Sequence, residues 1–328
     1  MTRICQFLAM VTLSCAAVAQ DHPGAGEFID RAVSEFGLEA DEVKALIADA
    51  NFKQSIVDAI RKPAEGKPWY QYRPIFLNKK RISEGVAFWQ ENYDLIRRVS
   101  EQYEVDPQII VAIIGVETLY GRITGSYRVL DALATLGFYY PKDLKRDRSD
   151  FFSSELIQFI LLGKEENLPL REVTGSYAGA MGMGQFIPSS YRHYAVDYDG
   201  NGSRDLWRST PDIVASVANY LHKHGWKAGD PVSRKAIALA SAETALASPK
   251  DYKPVMNVGE IEQRGYRSNS ELSPTRPAAV LKLEEKSSNS YWLTFDNFYV
   301  ITRYNRSPMY AMVVLQLSEE IKQGMGKS

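Results

Sequence analysis

Residues 106–121 read DPQIIVAIIGVETLYG. Asp106 suits an N-cap, Pro107 the first helical turn and Gly121 the position just past a helix end, so the spacing predicts one buried helix over residues 107–120. A lone carboxylate, Glu117, stands in this apolar run, where an acid has no packing reason to be. Among Ile, Val and Leu side chains a carboxyl group is poorly hydrated, and in the last turn of a helix it meets the negative end of the dipole. Both effects predict a raised pKa and hence a proton donor. The same local pattern equally fits a buried glutamate satisfied by an arginine or a backbone N–H.

Helices continue on both sides of this segment. Val86, Trp89, Tyr93, Ile96 and Tyr103 recur at threes and fours or their sums and predict one amphipathic helix from Ser83 to Tyr103. FFSSELIQFILL (151–162) and IVASVANYL (213–221) carry the same period, and DEVKALIADANFKQSIVDAIRK (41–62) predicts a small helical lead-in. The lead-in is closed by PAEGKPWYQYRP, whose Trp69, Tyr70 and Tyr72 fit either loop packing or a platform for a sugar ring. After Gly225 the texture changes. AIALASAETALASP (236–249) still reads helical, residues 250–303 alternate apolar and polar and predict a small antiparallel sheet, and Pro308–Glu319 returns to helix. The fold class is mainly α, with α+β character.

A chain of 328 residues with 45% hydrophobic and 24% charged content buries a substantial core in two or three subdomains. Residues 1–19, MTRICQFLAMVTLSCAAVA, have one Arg, a short apolar stretch and an Ala17-Val18-Ala19 ending, which predicts a signal peptide and export. Cys5 and Cys15 both lie in that segment, so the mature chain is expected to have no disulfide, thiolate nucleophile or cysteine-ligated metal. A lipidated Cys15 is the alternative N-terminus, although Thr12-Leu13-Ser14 matches the usual lipidation pattern poorly. The formal net charge of −1 argues against nucleic acid as a partner.

Three further stretches carry chemistry. GSYAGAMGMGQFIPSSY (175–191) is rich in small residues that let a backbone approach a ligand closely, with Ser176 and Gln185 to hydrogen-bond it. It lacks the Lys of a P-loop and the setting of a dinucleotide loop. DYDGNGSRDLW (197–207) matches the first nine positions of an EF-hand loop. Asp197, Asp199, Asn201, the Ser203 carbonyl and Asp205 are its candidate calcium ligands, with Gly202 at the turn. Its twelfth position is Arg208 instead of Glu, and Asp212 serves as the last ligand if the loop is lengthened. A solvated Asp/Asn/Gly turn without metal is the bland alternative. FYVITRYNRSPMYA (298–311) places Tyr304, Asn305 and Tyr310 on an expected strand-to-loop junction, as carbohydrate contacts or as edge packing. The four histidines form no metal pattern.

GVETLYGR, LDALATLGFYYP, GSYAGAMGMGQFIPSSY, the EF-hand-like loop ending in LW, SVANYL and ITRYN occur in that order between Tyr72 and Leu315. This combination resembles the lytic murein transglycosylase B family. The resemblance implies a lysozyme-like helical core (76–225) between a small N-terminal helical region (20–75) and a small β domain (226–303), with residues 304–328 returning to the core. It implies a periplasmic enzyme that cleaves the MurNAc-GlcNAc bond of peptidoglycan without water and leaves 1,6-anhydromuramic ends. Glu117 would act first as acid and then as base, and no second acid lies near it in sequence. Ser176 would orient the substrate N-acetyl group, and Tyr72, Gln185, Phe186, Tyr220, Tyr304, Asn305 and Tyr310 would bind sugar. Glycan strands are the implied partner, cell-wall synthases candidate associates, and the membrane a partner only through a lipidated Cys15. Relatives carry a compact arginine pair after Tyr140-Pro141. Here the segment reads KDLKRDRSD, which leaves open whether Lys142, Arg146 or Arg148 meets the peptide stem. A hydrolytic muramidase with a remote second carboxylate, and a non-catalytic peptidoglycan-binding scaffold, are the alternatives.

Overall fold

The computed structural model describes residues 21–62, 66–247, 249 and 251–326, so the signal-peptide reading and both cysteines lie outside the described residues. The N-terminal region consists of α1 (Ala25–Phe36), α2 (Ala40–Asp49) and α3 (Gln54–Ile60). It is tied to the rest by Asn51 N–H on Asp131 Oδ1 at 2.9 Å and Lys53 N–H on Thr135 Oγ1 at 3.1 Å. The aromatic segment expected as loop is a helix, α4 (Trp69–Phe76), which buries Trp69 and Tyr72. The single helix expected over Ser83–Tyr103 is two, α5 (Lys79–Glu91) and α6 (Tyr93–Tyr103). They meet at Asn92, whose side-chain amide and backbone N–H both donate to Phe88 O.

The central helix α7 (Pro107–Thr118) has Pro at its first turn as expected, and Ile109 to Ile114 are at most 2% exposed. Truncating one of these isoleucines to Ala would cost about 2–5 kcal/mol. Two details of the sequence reading change. Asp106 does not cap the helix, because its carboxylate accepts Trp226 Nε1–H at 2.9 Å and Gly229 N–H at 3.2 Å. The helix ends two residues early, since Leu119 and Tyr120 adopt φ of 50° and 56°. That left-handed turn folds the Tyr120 ring back over Gly115, where a Cβ would lie 2.4 Å from the phenol oxygen. The phenol then donates to Arg81 O at 3.0 Å.

Beyond α7 come β1 (Tyr127–Arg128), α8 (Val129–Phe138), α9 (Ser149–Glu166), β2 (Thr174–Gly175), α10 (Pro188–Tyr194) and α11 (Thr210–Lys223). β1 and β2 pair antiparallel. The second module contains β3 (Ser233–Ala238), β4 (Met256–Asn257), α12 (Val258–Gln263), β5 (Tyr266–Ser268), β6 (Pro277–Glu284) and β7 (Asn289–Thr294), in an antiparallel sheet of order β4-β6-β7-β3-β5. The expected sheet therefore exists with shifted bounds. Residues 236–238, the start of the stretch expected as helix, belong instead to the strand Ser233–Ala238 held between β7 and β5, with Ser233 opposite Thr294 and Ala238 opposite Tyr266. Residues 296–303, expected within the sheet, belong to α13 (Asp296–Tyr304), which buries Phe298 and Ile301 completely. The closing helix α14 (Pro308–Met325) appears as expected and packs on α7 and α5. It carries fully buried Met312, Val313 and Val314 into the main core.

Candidate active site

Glu117 is the penultimate residue of α7 and is half-buried. Its Oε1 accepts the phenol O–H of Tyr310 at 2.5 Å, a contact between residues 193 apart in the chain. Tyr310 stands in the first turn of α14, where Pro308 starts the helix and the Ser307 hydroxyl accepts Tyr310 N–H at 3.3 Å. Burial, followed by the adjacent negative charge of Glu117, pushes the Tyr310 phenol well above its usual pKa. Tyr304, at the end of α13, is raised for the same two leading reasons and donates to Gly184 O at 2.5 Å. Both phenols are thus neutral donors, and Glu117 lies within electrostatic reach of both.

The glycine-rich stretch closes around the end of α7. Thr118 donates its hydroxyl to Met183 O at 2.9 Å and accepts Gly121 N–H at 3.0 Å. Gln185, at φ 51°, donates Nε2–H to Thr124 O at 3.1 Å and to Gly182 O at 2.9 Å. Gly125 is the position where only glycine fits, since a Cβ there would lie 2.6 Å from Ser176 N. The half-buried Ser176 accepts Ala178 N–H and Ala180 N–H on its hydroxyl oxygen, at 3.3 Å and 3.0 Å. Its own proton is the bonding capacity that remains for donation.

Beside this centre lies a cleft of about 360 Å³, walled by Gln185, Phe186, Tyr220, Tyr304 and Asn305 among others. Five of the residues expected to bind sugar therefore meet in one place. Phe186 packs on Tyr220 and Tyr304 with centroids 5.8 Å and 5.7 Å away, and Tyr220 donates to Arg303 O at 2.5 Å. Phe186 is only 2% exposed and Tyr72 only 1%, so these two support the wall and Tyr310 instead of presenting an open ring face. Tyr304, in the wall of the cleft, feels the charge of Glu117, and neither Glu117 nor any other Asp or Glu is among the residues that line it.

Three arginines that the sequence motifs did not single out together, Arg148, Arg303 and Arg306, do line it. Arg148 is exposed at the rim yet sits over the Phe151 ring at 4.5 Å, and partial desolvation of its guanidinium lowers its pKa. Lys142 and Arg146 are exposed and are not in the wall. Arg303 and Arg306 flank Tyr304-Asn305 in the sequence, a spacing that could have flagged them. A larger cavity of about 640 Å³ between α2 and the end of α9 holds none of these groups.

The EF-hand-like segment forms a second centre. Carboxylate oxygens of Asp197, Asp199 and Asp212 lie within 4.8 Å of one another. Asp212, fully buried in the first turn of α11, accepts Tyr198 N–H at 2.8 Å and Asp205 N–H at 2.9 Å. It stands within reach of Asp197 and Asp199, where the EF-hand pattern has Arg208 instead of an acid. Asp205 is drawn elsewhere, as its Oδ1 accepts Trp207 N–H at 2.8 Å and Arg208 N–H at 3.0 Å. Asn201 Oδ1 accepts Ser203 N–H at 2.9 Å, and Gly202 turns the chain at φ 90°. Three crowded carboxylates with hard oxygen neighbours fit a calcium ion, which would relieve their mutual repulsion.

A family model described as the transglycosylase SLT domain matches residues 20–319. The chain is 37% identical over 311 residues to the membrane-bound lytic murein transglycosylase B of Escherichia coli strain K12, covering 92% of this chain and 83% of that protein. Among solved structures, soluble lytic transglycosylase SltB1 from Pseudomonas aeruginosa superposes with a TM-score of 0.84 at 45% identity, covering 93% of this chain and 100% of that one. The Escherichia coli lytic transglycosylase Slt35 in complex with calcium superposes with a TM-score of 0.82 at 36% identity, covering 96% and 99%.

Proposed function

The chain belongs to the transglycosylase SLT family and is a lytic transglycosylase of peptidoglycan, and on that premise we propose that Glu117 is its single acid and base. The observation that carries this role is the end of α7, where a half-buried carboxylate accepts the Tyr310 phenol beside a cleft with no Asp or Glu among its lining residues. Glu117 gives its proton to the glycosidic oxygen as the bond to the muramoyl anomeric carbon breaks. The resulting carboxylate, stabilised by Tyr310, takes the proton of the muramoyl C6 hydroxyl as that oxygen attacks the anomeric carbon. The ring closes to a 1,6-anhydro end, no water is consumed and Glu117 is again protonated. Ser176 donates to the substrate N-acetyl carbonyl during these steps. Gln185, Tyr220, Tyr304 and Asn305 border the sugar, and Arg148, Arg303 and Arg306 meet carboxylates of the peptide stem.

Asp197, Asp199 and Asp212 with Asn201 and the Ser203 carbonyl would hold calcium, whose role is to neutralise the cluster and fix the loop. The expected setting is the periplasm after loss of residues 1–19. None of the helices among the described residues is long and apolar enough to cross a membrane.

Digestion of purified sacculi followed by mass spectrometry tests the chemistry. Anhydro ends are lighter than reducing ends by one water and should predominate. Glu117→Gln should abolish turnover while retaining sacculus binding. Predominantly reducing ends would overturn the single-residue mechanism in favour of a hydrolytic muramidase with a remote second carboxylate.

A further inference from the structure

A second cleft, of about 450 Å³, opens beside the outgoing limb of the calcium loop, with Ser203 and Asp205 of that loop in its wall, and it shares no lining residue with the cleft beside Glu117. Trp207, Thr174, Glu172 and Arg208 line it above the fully buried Tyr191. Trp207 is half-buried and tilted on Tyr191, with ring centroids 5.8 Å apart. Among the described residues its indole N–H donates to no protein group, whereas that of Trp226 is spent on Asp106 at 2.9 Å. A partly open indole with a spare donor, bordered by a carboxylate and a guanidinium, is the chemistry that recognises a pyranose. Ring C–H groups lie on the aromatic face, and hydroxyl and acetamido groups meet the polar rim.

Two short links join this cleft to Glu117. Thr118 donates to Met183 O at 2.9 Å, and Met183 N–H donates to the carbonyl of Leu206, the residue before Trp207, at 2.8 Å. The packing there is so close that a Cβ on Gly182 would lie 2.5 Å from Leu206 O. The second link is β2. Thr174, in the cleft wall and in β2, precedes Ser176 by two residues, and Ser176 lies just past the end of that strand. The Trp207 backbone is also tied to the acidic cluster, because Asp205 Oδ1 accepts the Trp207 backbone N–H at 2.8 Å while the Asp205 backbone N–H donates to Asp212 at 2.9 Å.

We propose that the Trp207 cleft is a distal glycan subsite, in which the indole stacks on a sugar remote from the scissile bond and makes the enzyme prefer long strands to short fragments. The proposal rests on the peptidoglycan reading of the Glu117 groove. Its test uses calcium-saturated Glu117→Gln protein titrated with a GlcNAc–MurNAc tetrasaccharide and with strands of at least twice that length. Affinity is read by calorimetry, and the Trp207 indole N–H by a nitrogen-proton correlation spectrum in which Trp207→Phe identifies the resonance. The long strand should shift that resonance and the tetrasaccharide should not. Trp207→Ala in the same background should weaken long-strand affinity about tenfold relative to the tetrasaccharide, the scale of one aromatic stacking contact. An unmoved indole resonance on saturation with long strands, or equal weakening for both lengths, overturns the subsite. Failure of both oligosaccharides to bind the parent overturns the groove reading itself, and the subsite with it.

Discussion

Replacing Tyr310 by Phe removes one oxygen from a side chain that is 2% exposed and leaves the ring to fill its site. The oxygen removed is the donor to Glu117 Oε1 at 2.5 Å. Because burial and the charge of Glu117 hold the phenol well above its usual pKa, it is a neutral donor throughout the working range. A hydrogen bond to a charged group contributes about 1.5–3 kcal/mol, and it favours the charged form of its acceptor. Its loss therefore favours protonated Glu117. At about 1.4 kcal/mol per unit, the limb of the kcat/KM profile that reports Glu117 should move about 1–2 units to higher pH in Tyr310→Phe. The carboxylate produced by proton donation is destabilised by the same amount, so kcat on the plateau should fall about 10- to 100-fold. The assay is the initial rate of soluble muropeptide release from labelled sacculi between pH 3 and about 9, with melting temperature as the folding control. Tyr304→Phe is the internal comparison, since Tyr304 donates to Gly184 O instead and its loss should leave the limb in place. An unmoved limb and an unchanged kcat in Tyr310→Phe would refute the assignment of Tyr310 as the partner of the catalytic carboxylate.

Metal-depleted protein should gain about 2.7 kcal/mol of stability at calcium a hundredfold above Kd, read as a rise in Tm, and Asp212→Asn should blunt the gain. A Tm indifferent to calcium and chelator would dismiss the site. Gly182→Ala places a side chain at φ 68° and its Cβ 2.5 Å from Leu206 O, so urea melts should show a loss of about 2–4 kcal/mol. Glu155 is buried, its pKa is raised above 4.5 by that burial, and it accepts Ser189 N–H and O–H at 2.9 Å and 2.7 Å. Between its unfolded and folded pKa values the native state holds the extra proton. The contribution of Glu155 to stability is thus full below pH 4.5 and lost as pH rises through the raised folded value. The stability difference between wild type and Glu155→Gln should decline across that window, and a difference that grows with pH would contradict the burial argument.

The segments most legible in the sequence were those where local and tertiary preferences agree. In α7 the proline start, the unbroken apolar run and the core position all favour one buried helix, and only its end moved, because Tyr120 needs a left-handed turn to cover Gly115. Where the preferences compete, packing decides. Residues 236–238 belong to an Ala-rich, helix-favouring stretch, yet they are pulled into a strand with a partner on each edge. FYVITRY is β-branched and aromatic, yet Phe298 and Ile301, one helical turn apart, both bury completely when the segment is α13.

The site shows the same division at longer range. Glu117 stood out because an isolated acid among apolar residues is a local anomaly, visible within one window of sequence. Its partner Tyr310 lies 193 residues away on α14, and no periodicity relates the two. Family motifs placed Tyr310 among the sugar contacts, and the structure shows its phenol donating to Glu117. Asp212 has a similar history. An EF-hand template leaves the twelfth position empty at Arg208, while the fold brings in a buried carboxylate from the first turn of α11. Asp212 accepts the Asp205 backbone N–H, Asp205 accepts the backbone N–H groups of Trp207 and Arg208, and Leu206 O accepts Met183 N–H, whose carbonyl accepts the hydroxyl of Thr118 beside Glu117, so a chain of hydrogen bonds runs from the acidic cluster past Trp207 to the proposed acid. Calcium depletion should therefore weaken long-strand binding before it unfolds the core. Parallel loss of both in a single chelator titration, followed by strand affinity and by Tm, would show that the loop acts on stability alone.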